Sequence, residues 1–345
     1  LAYALWRRGV GAPLKVRLAR VPARLRGTAG AIAAVAAIAM AGLGGWIFYN
    51  TNVVNDYRTA LDEERLTAEY EKALIGYEKV PQPRITDVTL DVALYPDEPR
   101  VVTRGSYVIE NRAGRPLDEV HLSWLRPLEM KTLEVEGATL SKDHGDFDYR
   151  IYRFDRPLAP LEKRRITFET LRQQQGFRNS GNEQRIVDNG TFLNNAEIAP
   201  FLGMSRDGLL QDRAKRRKYG LPPELRPAPL EDEGARMFNG LRRDSDWVNS
   251  DITISTSADQ LAVAPGYVES ETVADGRRTV RYRSDAPIQN FFSVQSARYE
   301  VAKDRWNDVE LAVYHDPAHA YNVERMMKAM KASLDYFSSN FSPYQ

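Results

Sequence analysis

The chain has 345 residues, 48 Lys and Arg against 47 Asp and Glu, and a formal net charge of +1, so its overall charge selects neither nucleic acid nor an acidic partner. With 43% hydrophobic residues it can bury a sizeable core, and length alone suggests about two folded units. The absence of cysteine excludes disulfides, thiol catalysis and the usual cysteine-bearing zinc sites, while permitting an extracytoplasmic location.

Residues 1–28 form a basic segment. It opens Leu1-Ala-Tyr-Ala-Leu-Trp6 without an initiator methionine, which reads as the last turns of an earlier membrane helix entering a cytoplasmic loop. Arg7, Arg8, Lys15, Arg17, Arg20, Arg24 and Arg26 precede Thr28 with no acidic residue among them, the asymmetry that holds a flank in the cytoplasm. Such a basic arm can also bind nucleic acid, but loops beside membrane helices are commonly basic for topological reasons alone, so no nucleic-acid partner is expected.

Residues 29–50 are expected to cross the bilayer. Ala29 to Tyr49 carries no charge, and about 21 residues at about 1.5 Å rise match the roughly 30 Å hydrocarbon layer. Ile32, Val35, Ile38, Leu43, Ile47 and Phe48 supply the insertion energy, Trp46 and Tyr49 mark the far interface, and Gly30, Gly42 and Gly44 permit packing against other helices. A buried helix of a soluble core is the alternative; a signal peptide fits poorly, because the basic region is long and no small-residue cleavage site follows.

Residues 51–82 read as a stalk helix, with Tyr57, Leu61, Leu66, Tyr70, Leu74 and Tyr77 on or near one stripe that packs on its own domain, ended by Pro81 and Pro83. From Ile85 the period becomes two: Val88, Leu90, Val92 and Leu94 alternate with Thr89, Asp91 and Ala93, then a Pro96–Pro99 turn leads into Val101 to Glu110. Further short runs follow at 119–125, 132–135, 149–154, 165–171, 251–257, 279–283, 291–294 and 310–314, with Ala274-Asp-Gly276 as a turn. Residues 83–315 are therefore expected to be mainly β, an antiparallel saddle or sandwich.

Residues 205–246 interrupt this rhythm as a charged insertion. Within it Arg213-Ala-Lys-Arg-Arg-Lys218 could meet an anionic ligand or lipid headgroup, but nearby Asp212, Glu224, Glu231, Asp232 and Glu233 favour a solvated helix face. Residues 316–345 open a helical layer. Asp316-Pro317 supplies a cap and first-turn proline, and Val323, Met326, Met327, Met330, Leu334 and Phe337 form a stripe suited to burial beneath a further domain. The chain ends at Ser342-Pro-Tyr-Gln345 without the sign of a finished domain, so both ends read as internal to something longer.

No catalytic constellation is visible. His315 and His319 have the spacing of a helical zinc pair, but Asp316-Pro-Ala between them offers no general-base glutamate, and proline leaves His315 ahead of the helix. His121 and His144 lie far away in sequence, and the four histidines suggest no cluster. Gly203-Met-Ser-Arg-Asp-Gly208 misses the nucleophile elbow by one residue, and no phosphate-binding glycine loop occurs. Asn189-Gly-Thr191 and Asn340-Phe-Ser342 fit the short glycosylation pattern.

Ala297-Arg-Tyr299, Val309-Glu-Leu-Ala-Val-Tyr-His-Asp-Pro-Ala-His319, Asn322-Val, Ser333-Leu-Asp-Tyr-Phe337 and Asn340-Phe-Ser-Pro-Tyr344 resemble the gluzincin zinc aminopeptidase family, of which aminopeptidase N is the familiar member. In that family this segment is the seam between an N-terminal β-saddle and a thermolysin-like zinc domain. Phe177 to Met204, with Asn189-Gly-Thr-Phe-Leu193 and Asn195-Ala-Glu-Ile-Ala-Pro200, resembles the part of the saddle that faces the active site. The membrane segment, with Trp6-Arg-Arg-Gly9 before it, is similar to bacterial proteins that fuse such a peptidase behind an ABC export permease.

The resemblance runs from about Pro83 to the end and rests on texture, since the family's H-E-x-x-H zinc motif does not occur here. It implies a saddle without catalytic residues or metal ligands of its own, zinc in a further domain, and Glu197 as the candidate contact to a peptide's free amino group. It also implies as partners the lipid bilayer, other transmembrane helices of a permease, an ABC ATPase subunit and a peptide substrate, in a bacterial plasma membrane with the large domain outside. A non-catalytic extracytoplasmic binding or gating domain of an ABC export permease stays open as the alternative.

Overall fold

The computed structural model describes residues 13–19, 21–24, 26–181, 184–223, 228–236 and 241–344. The Trp6–Gly9 helix end, Arg7, Arg8, Arg20 and Glu224 fall outside them. The chain divides into two compact units, Leu1–Thr59 with Gln175–Asn182, and Ala60–Gln174 with Glu183–Gln345.

In the first unit, helix α1 (Thr28–Phe48) has no buried residue and passes into a π-helical turn, Tyr49–Val54. Together they form a span of mean hydropathy 2.0, long and apolar enough to cross a membrane. The wider turn has a local cause. Asn50 Nδ2 donates to Trp46 O at 2.9 Å and Thr51 Oγ1 to Ile47 O at 2.9 Å, so polar side chains compete for the helix's own carbonyls. The segment 175–177 closes on this turn: Asn55 Nδ2 donates to Gln175 O at 2.9 Å, and Phe177 lies 6.5 Å from the Trp46 ring. Gly176 has φ 57°, and a Cβ there would run into Asn50 Oδ1.

The stalk is consequently not one helix from Thr51. The chain leaves helical geometry at Asn55 and re-enters it at α2 (Ala60–Leu74), which ends in a 3-10 turn at Ile75–Tyr77. Of the expected stripe, Leu74 is buried and Tyr70 and Tyr77 pack beside Tyr149 and Ile151, whereas Tyr57 and Leu61 are exposed; Ala68 of α2, outside that stripe, is also buried.

Among the described residues eighteen strands follow: β1 (Arg84–Tyr95), β2 (Arg100–Glu110), β3 (Leu117–Ser123), β4 (Glu129–Val135), β5 (Ala138–His144), β6 (Tyr149–Leu158), β7 (Lys163–Gln173), β8 (Ile186–Val187), β9 (Gly190–Asn194), β10 (Phe201–Leu202), β11 (Trp247–Ser257), β12 (Leu261–Val263), β13 (Tyr267–Ala274), β14 (Arg277–Arg283), β15 (Ile288–Gln289), β16 (Ser293–Ala297), β17 (Glu300–Trp306) and β18 (Val309–His315). The large sheet runs β13-β14-β11-β1-β2-β7-β4, with β15 beside β11; two four-stranded sheets run β10-β3-β6-β5 and β12-β16-β9-β8. The unit is mainly β, as the period-two runs require. It departs from a purely antiparallel arrangement at one pair, β1 with β11, which is parallel.

Alternation places Leu90, Val92, Leu94, Ile252 and Ile254 in one core with Ile109, Val120, Leu122, Ile166 and Leu193. Gly105 lies where a Cβ would collide with the Phe168 ring and Leu90, so the absent side chain lets that ring cover the sheet. Asp275 and Gly276, both at positive φ, form the tight β13–β14 turn.

The insertion corrects the sequence reading of its basic run. Helix α3 (Arg213–Lys218) is capped by Asp212, whose carboxylate accepts from Lys215 N, but Arg216 is only 1% exposed. Its guanidinium donates to both carboxylate oxygens of Glu71 at 2.6 and 2.8 Å and to the carbonyls of Leu210 and Pro222. Lys215 and Lys218 pair with Glu64 at 2.8 and 2.7 Å. Much of the positive charge on α3 is therefore answered by acids on α2, roughly 150 residues away in sequence and invisible to a local charge count.

Strands β17 and β18 form a two-stranded sheet, and helix α4 (Val323–Asn340) lies on it. Met327, Leu311 and Val313 are buried together, with Val323, Met330 and Leu334 packed around them. Trp306 Nε1 donates to Asp335 at 2.7 Å. Only part of the methionine stripe is covered, since Met326, Tyr336 and Phe337 remain exposed.

Two measurements test the α2–α3 contact. Glu71→Ala strands a buried guanidinium and is expected to cost about 3–5 kcal/mol in denaturant unfolding, whereas Glu71→Leu with Arg216→Met recovers most of it. Hydrogen bonds from Lys215 and then Lys218 hold the Glu64 carboxyl at about 2, against an ordinary value of 4.5. A depressed folded-state pKa gives stability that is present above about 4.5 and lost as pH falls towards 2. Glu64→Gln should therefore show a smaller loss of unfolding midpoint over that interval than the parent chain.

Candidate functional site

The segment that the resemblance sets against a substrate, Asn189–Pro200, is built as strand β9 followed by a 3-10 turn at Asn195–Glu197. Asn194 caps the turn, and Glu197 Oε2 reaches back to accept the Asn194 N–H at 2.8 Å, a reciprocal capping box. The chain can make this turn inside the core because most of its polar groups are met: Asn195 Nδ2 donates to Asn290 Oδ1 at 2.9 Å, Thr170 Oγ1 to Ile198 O at 2.6 Å, and Tyr107 OH to Pro200 O at 3.0 Å, while Asn195 Oδ1 is left without a partner. Burial pushes the Tyr107 hydroxyl far above its ordinary pKa, so it serves as a neutral donor.

Glu197 itself is buried. Its Oε1 faces Arg185 at 3.2 Å and Arg172 at 3.7 Å, and Arg172 also donates to the Glu197 carbonyl at 3.2 Å. Arg172 is buried, whereas Arg185 is nearly half exposed. The carboxylate thus has one backbone donor and two guanidiniums, and only the Arg185 side is open to exchange with another cation.

His315 and His319 are not brought onto one helix face. His315 ends β18 with Nδ1 by the Asp316 carbonyl, and His319 sits in a 3-10 turn, Pro317–Asn322, at a non-helical φ of −121° with Nδ1 3.2 Å from Asp316 Oδ1. Asp316 caps that turn through Ala318 N, as the Asp-Pro pattern predicts. Among the described residues no group of three His, Asp or Glu is placed to hold a metal ion. The described residues do not fit a zinc site.

Of the two glycosylation patterns, Asn189 is exposed and accepts from Arg298 N at 2.8 Å, and Asn340 donates to Tyr336 O at 2.7 Å near the end of α4.

The sequence missed one grouping. His121 on β3 and His144 on β5, 23 positions apart and with one strand, β6, between them in the sheet, both lie against Tyr77 and Tyr149, with ring centroids 5.2–6.0 Å apart. His121 is fully buried, with Nδ1 at 2.5 Å from the Tyr149 hydroxyl and Nε2 at 2.9 Å from Glu119. Burial lowers its pKa against the pull of Glu119, and burial likewise lowers that of His144. The one available signal was strand register, since His144 stands opposite Tyr149 and His121 opposite Ile151 on β6. The arrangement is a largely buried polar and aromatic cluster around Tyr77, just past the end of α2.

No protein-family model matches this chain, and no curated protein does. Among solved structures it is similar to the M1 zinc metallopeptidase of Deinococcus radiodurans, with 15% identity, a TM-score of 0.47, and coverage of 79% of this chain and 57% of that one. A mutant of the same enzyme bound to a Tyr-Ser-Ala substrate gives 14% identity over the same shares and a TM-score of 0.48. A two-domain M1 zinc metallopeptidase mutant bound to L-tryptophan gives 14%, 0.48, 79% and 58%. The chain therefore spans somewhat over half the length of the structures it matches.

Proposed function

We propose that this chain is the membrane tether and β-saddle of a zinc aminopeptidase-like protein, set behind an ABC export permease in a bacterial plasma membrane with the large domain outside. The observation that carries the reading is the seam. The stretch resembling the family's saddle-to-catalytic junction folds as the β17–β18 hairpin, an Asp316-capped turn and helix α4, whose Met326 and Phe337 face remains uncovered. A following zinc domain would cover that face. The apolar, uncharged α1 span and the basic residues before it support the membrane assignment and its orientation. In this reading zinc and the hydrolytic groups belong to the further domain, and the saddle shapes the cleft that admits a peptide's amino end. Glu197 would meet that ammonium by exchanging it for Arg185, the more exposed of its two cation partners.

One observation favours the second reading, a non-catalytic binding or gating domain of an export permease. The Glu197 carboxylate is already satisfied within the chain, so a substrate gains only what displacing Arg185 leaves over.

Two experiments separate these. The chain as given should release no amino acid from an aminoacyl reporter with zinc supplied, while the chain extended through a following domain bearing H-E-x-x-H should do so and lose the activity on chelation; zinc-dependent release by the chain alone overturns the assignment. In the extended protein, Glu197→Gln should raise KM about tenfold with a much smaller change in kcat if the ammonium contact is made. Equal KM for both forms, with only a lower unfolding midpoint, assigns Glu197 to holding Arg172 and the turn.

A further inference from the structure

At one end of the large sheet, on the face turned away from the core, a groove of about 270 Å3 is lined by Asp87, Glu110, Arg112, Lys163, Trp247 and Asn249. Strand geometry places them. Trp247 and Asn249 are two apart on β11 and share a face; the parallel register sets Asn249 opposite Asp87; and the antiparallel register sets Glu110 opposite Lys163.

The groove is charge-balanced, with two acids against two bases, and each is already matched. Asp87 Oδ1 accepts from Asn249 Nδ2 at 2.9 Å and Oδ2 from Thr86 Oγ1 at 2.7 Å. Glu110 Oε1 accepts from Arg112 Nε at 3.0 Å, and Oε2 lies 3.6 Å from Lys163 Nζ. Burial would raise the Asp87 carboxyl, but the bonds from Asn249 and Thr86, with the charges of Lys163 and Arg165, outweigh it and leave its pKa below the ordinary value. An ion of either sign would compete with pairs already formed and gain little.

Hydrogen-bonding capacity nevertheless remains. Asn249 has a second amide hydrogen, Lys163 further ammonium hydrogens, and each carboxylate further lone pairs. Beside them the Trp247 side chain is 71% exposed, a flat apolar surface against a rim of donors and acceptors. The ligand that such a surface suits is neutral, apolar on one face and rich in hydroxyls at its edge.

We propose that this groove binds a neutral saccharide, one sugar ring lying on the Trp247 indole with its hydroxyls donating to Asp87 and Glu110 and accepting from Asn249, Arg112 and Lys163. The site is independent of the Glu197 turn, and its occupancy does not require peptidase activity.

The test is calorimetric titration of the full chain in zwitterionic micelles, because maltoside and glucoside detergents would compete. The probes are chitotriose and maltotriose, which distinguish acetylamino from plain hexose sugars, with trigalacturonate as the charged counterpart. At least one neutral trisaccharide should bind with a Kd below about 10 mM. Trp247→Ala should weaken that binding about tenfold at an unchanged unfolding midpoint, and Trp247→Phe should restore most of it. Binding by trigalacturonate alone, no binding by either neutral probe, or equal binding by Trp247→Ala and the parent chain overturns the proposal.

Discussion

The parallel pairing of β1 with β11 is the constraint on which the second unit depends. It joins residues 87–93 to residues 249–255. A parallel neighbour demands a long crossover, and here the crossover is most of the domain: β2 to β10, the Asn189–Pro200 turn and the charged insertion all lie between the two strands. Because β1 is covered by β2 on its other edge, it has no free edge, and its Leu90, Val92 and Leu94 are buried. The same register brings Asn249 beside Asp87 and so creates the Trp247 groove.

Polar groups then fix what the apolar core leaves undetermined. The core residues are mostly Leu, Ile and Val, which fill volume without setting direction. Direction comes from buried bonds with one geometry: Thr170 and Tyr107 reaching carbonyls of the 194–200 turn, and the two-pronged Arg216–Glu71 pair joining α3 to α2. Each is costly when half-made and close to neutral when whole, so these pairs specify the arrangement more than they stabilise it.

What the sequence revealed follows from the range of each signal. Period-two alternation is local, and it located β1, β2, β6, β7, β11, β14 and β18 within a few residues. It failed at β5, β13 and β17, whose residues are largely exposed and whose strands exist through hairpin pairing with a neighbour. The Asp316-Pro317 cap was legible because capping is decided within three residues. The burial of Arg216 was not, since its partner is 145 positions away. The break at Asn55 was missed for a different reason: the charged helix-forming run was extended back over Asn50-Thr-Asn-Val-Val-Asn55, poor helix formers whose Asn50, Thr51 and Asn55 side chains bond to backbone oxygens.

Glu197 and the Trp247 groove show two settings for paired carboxylates, one buried and one at an open groove. At Glu197 the carboxylate is buried, one oxygen is given to the turn's own backbone, and the other faces two guanidiniums. A ligand there must displace before it can bind, so any affinity depends on how easily Arg185 returns to water, and the exposed half of that side chain is what makes exchange feasible. At Asp87 and Glu110 the pairs are equally complete, but they lie in an open groove beside an exposed indole, and a hydroxyl can add to them without breaking them. The proposed recognition of an ammonium at Glu197 would therefore work only by exchange, whereas the proposed recognition of a neutral, hydroxyl-rich ring beside Trp247 would work by addition.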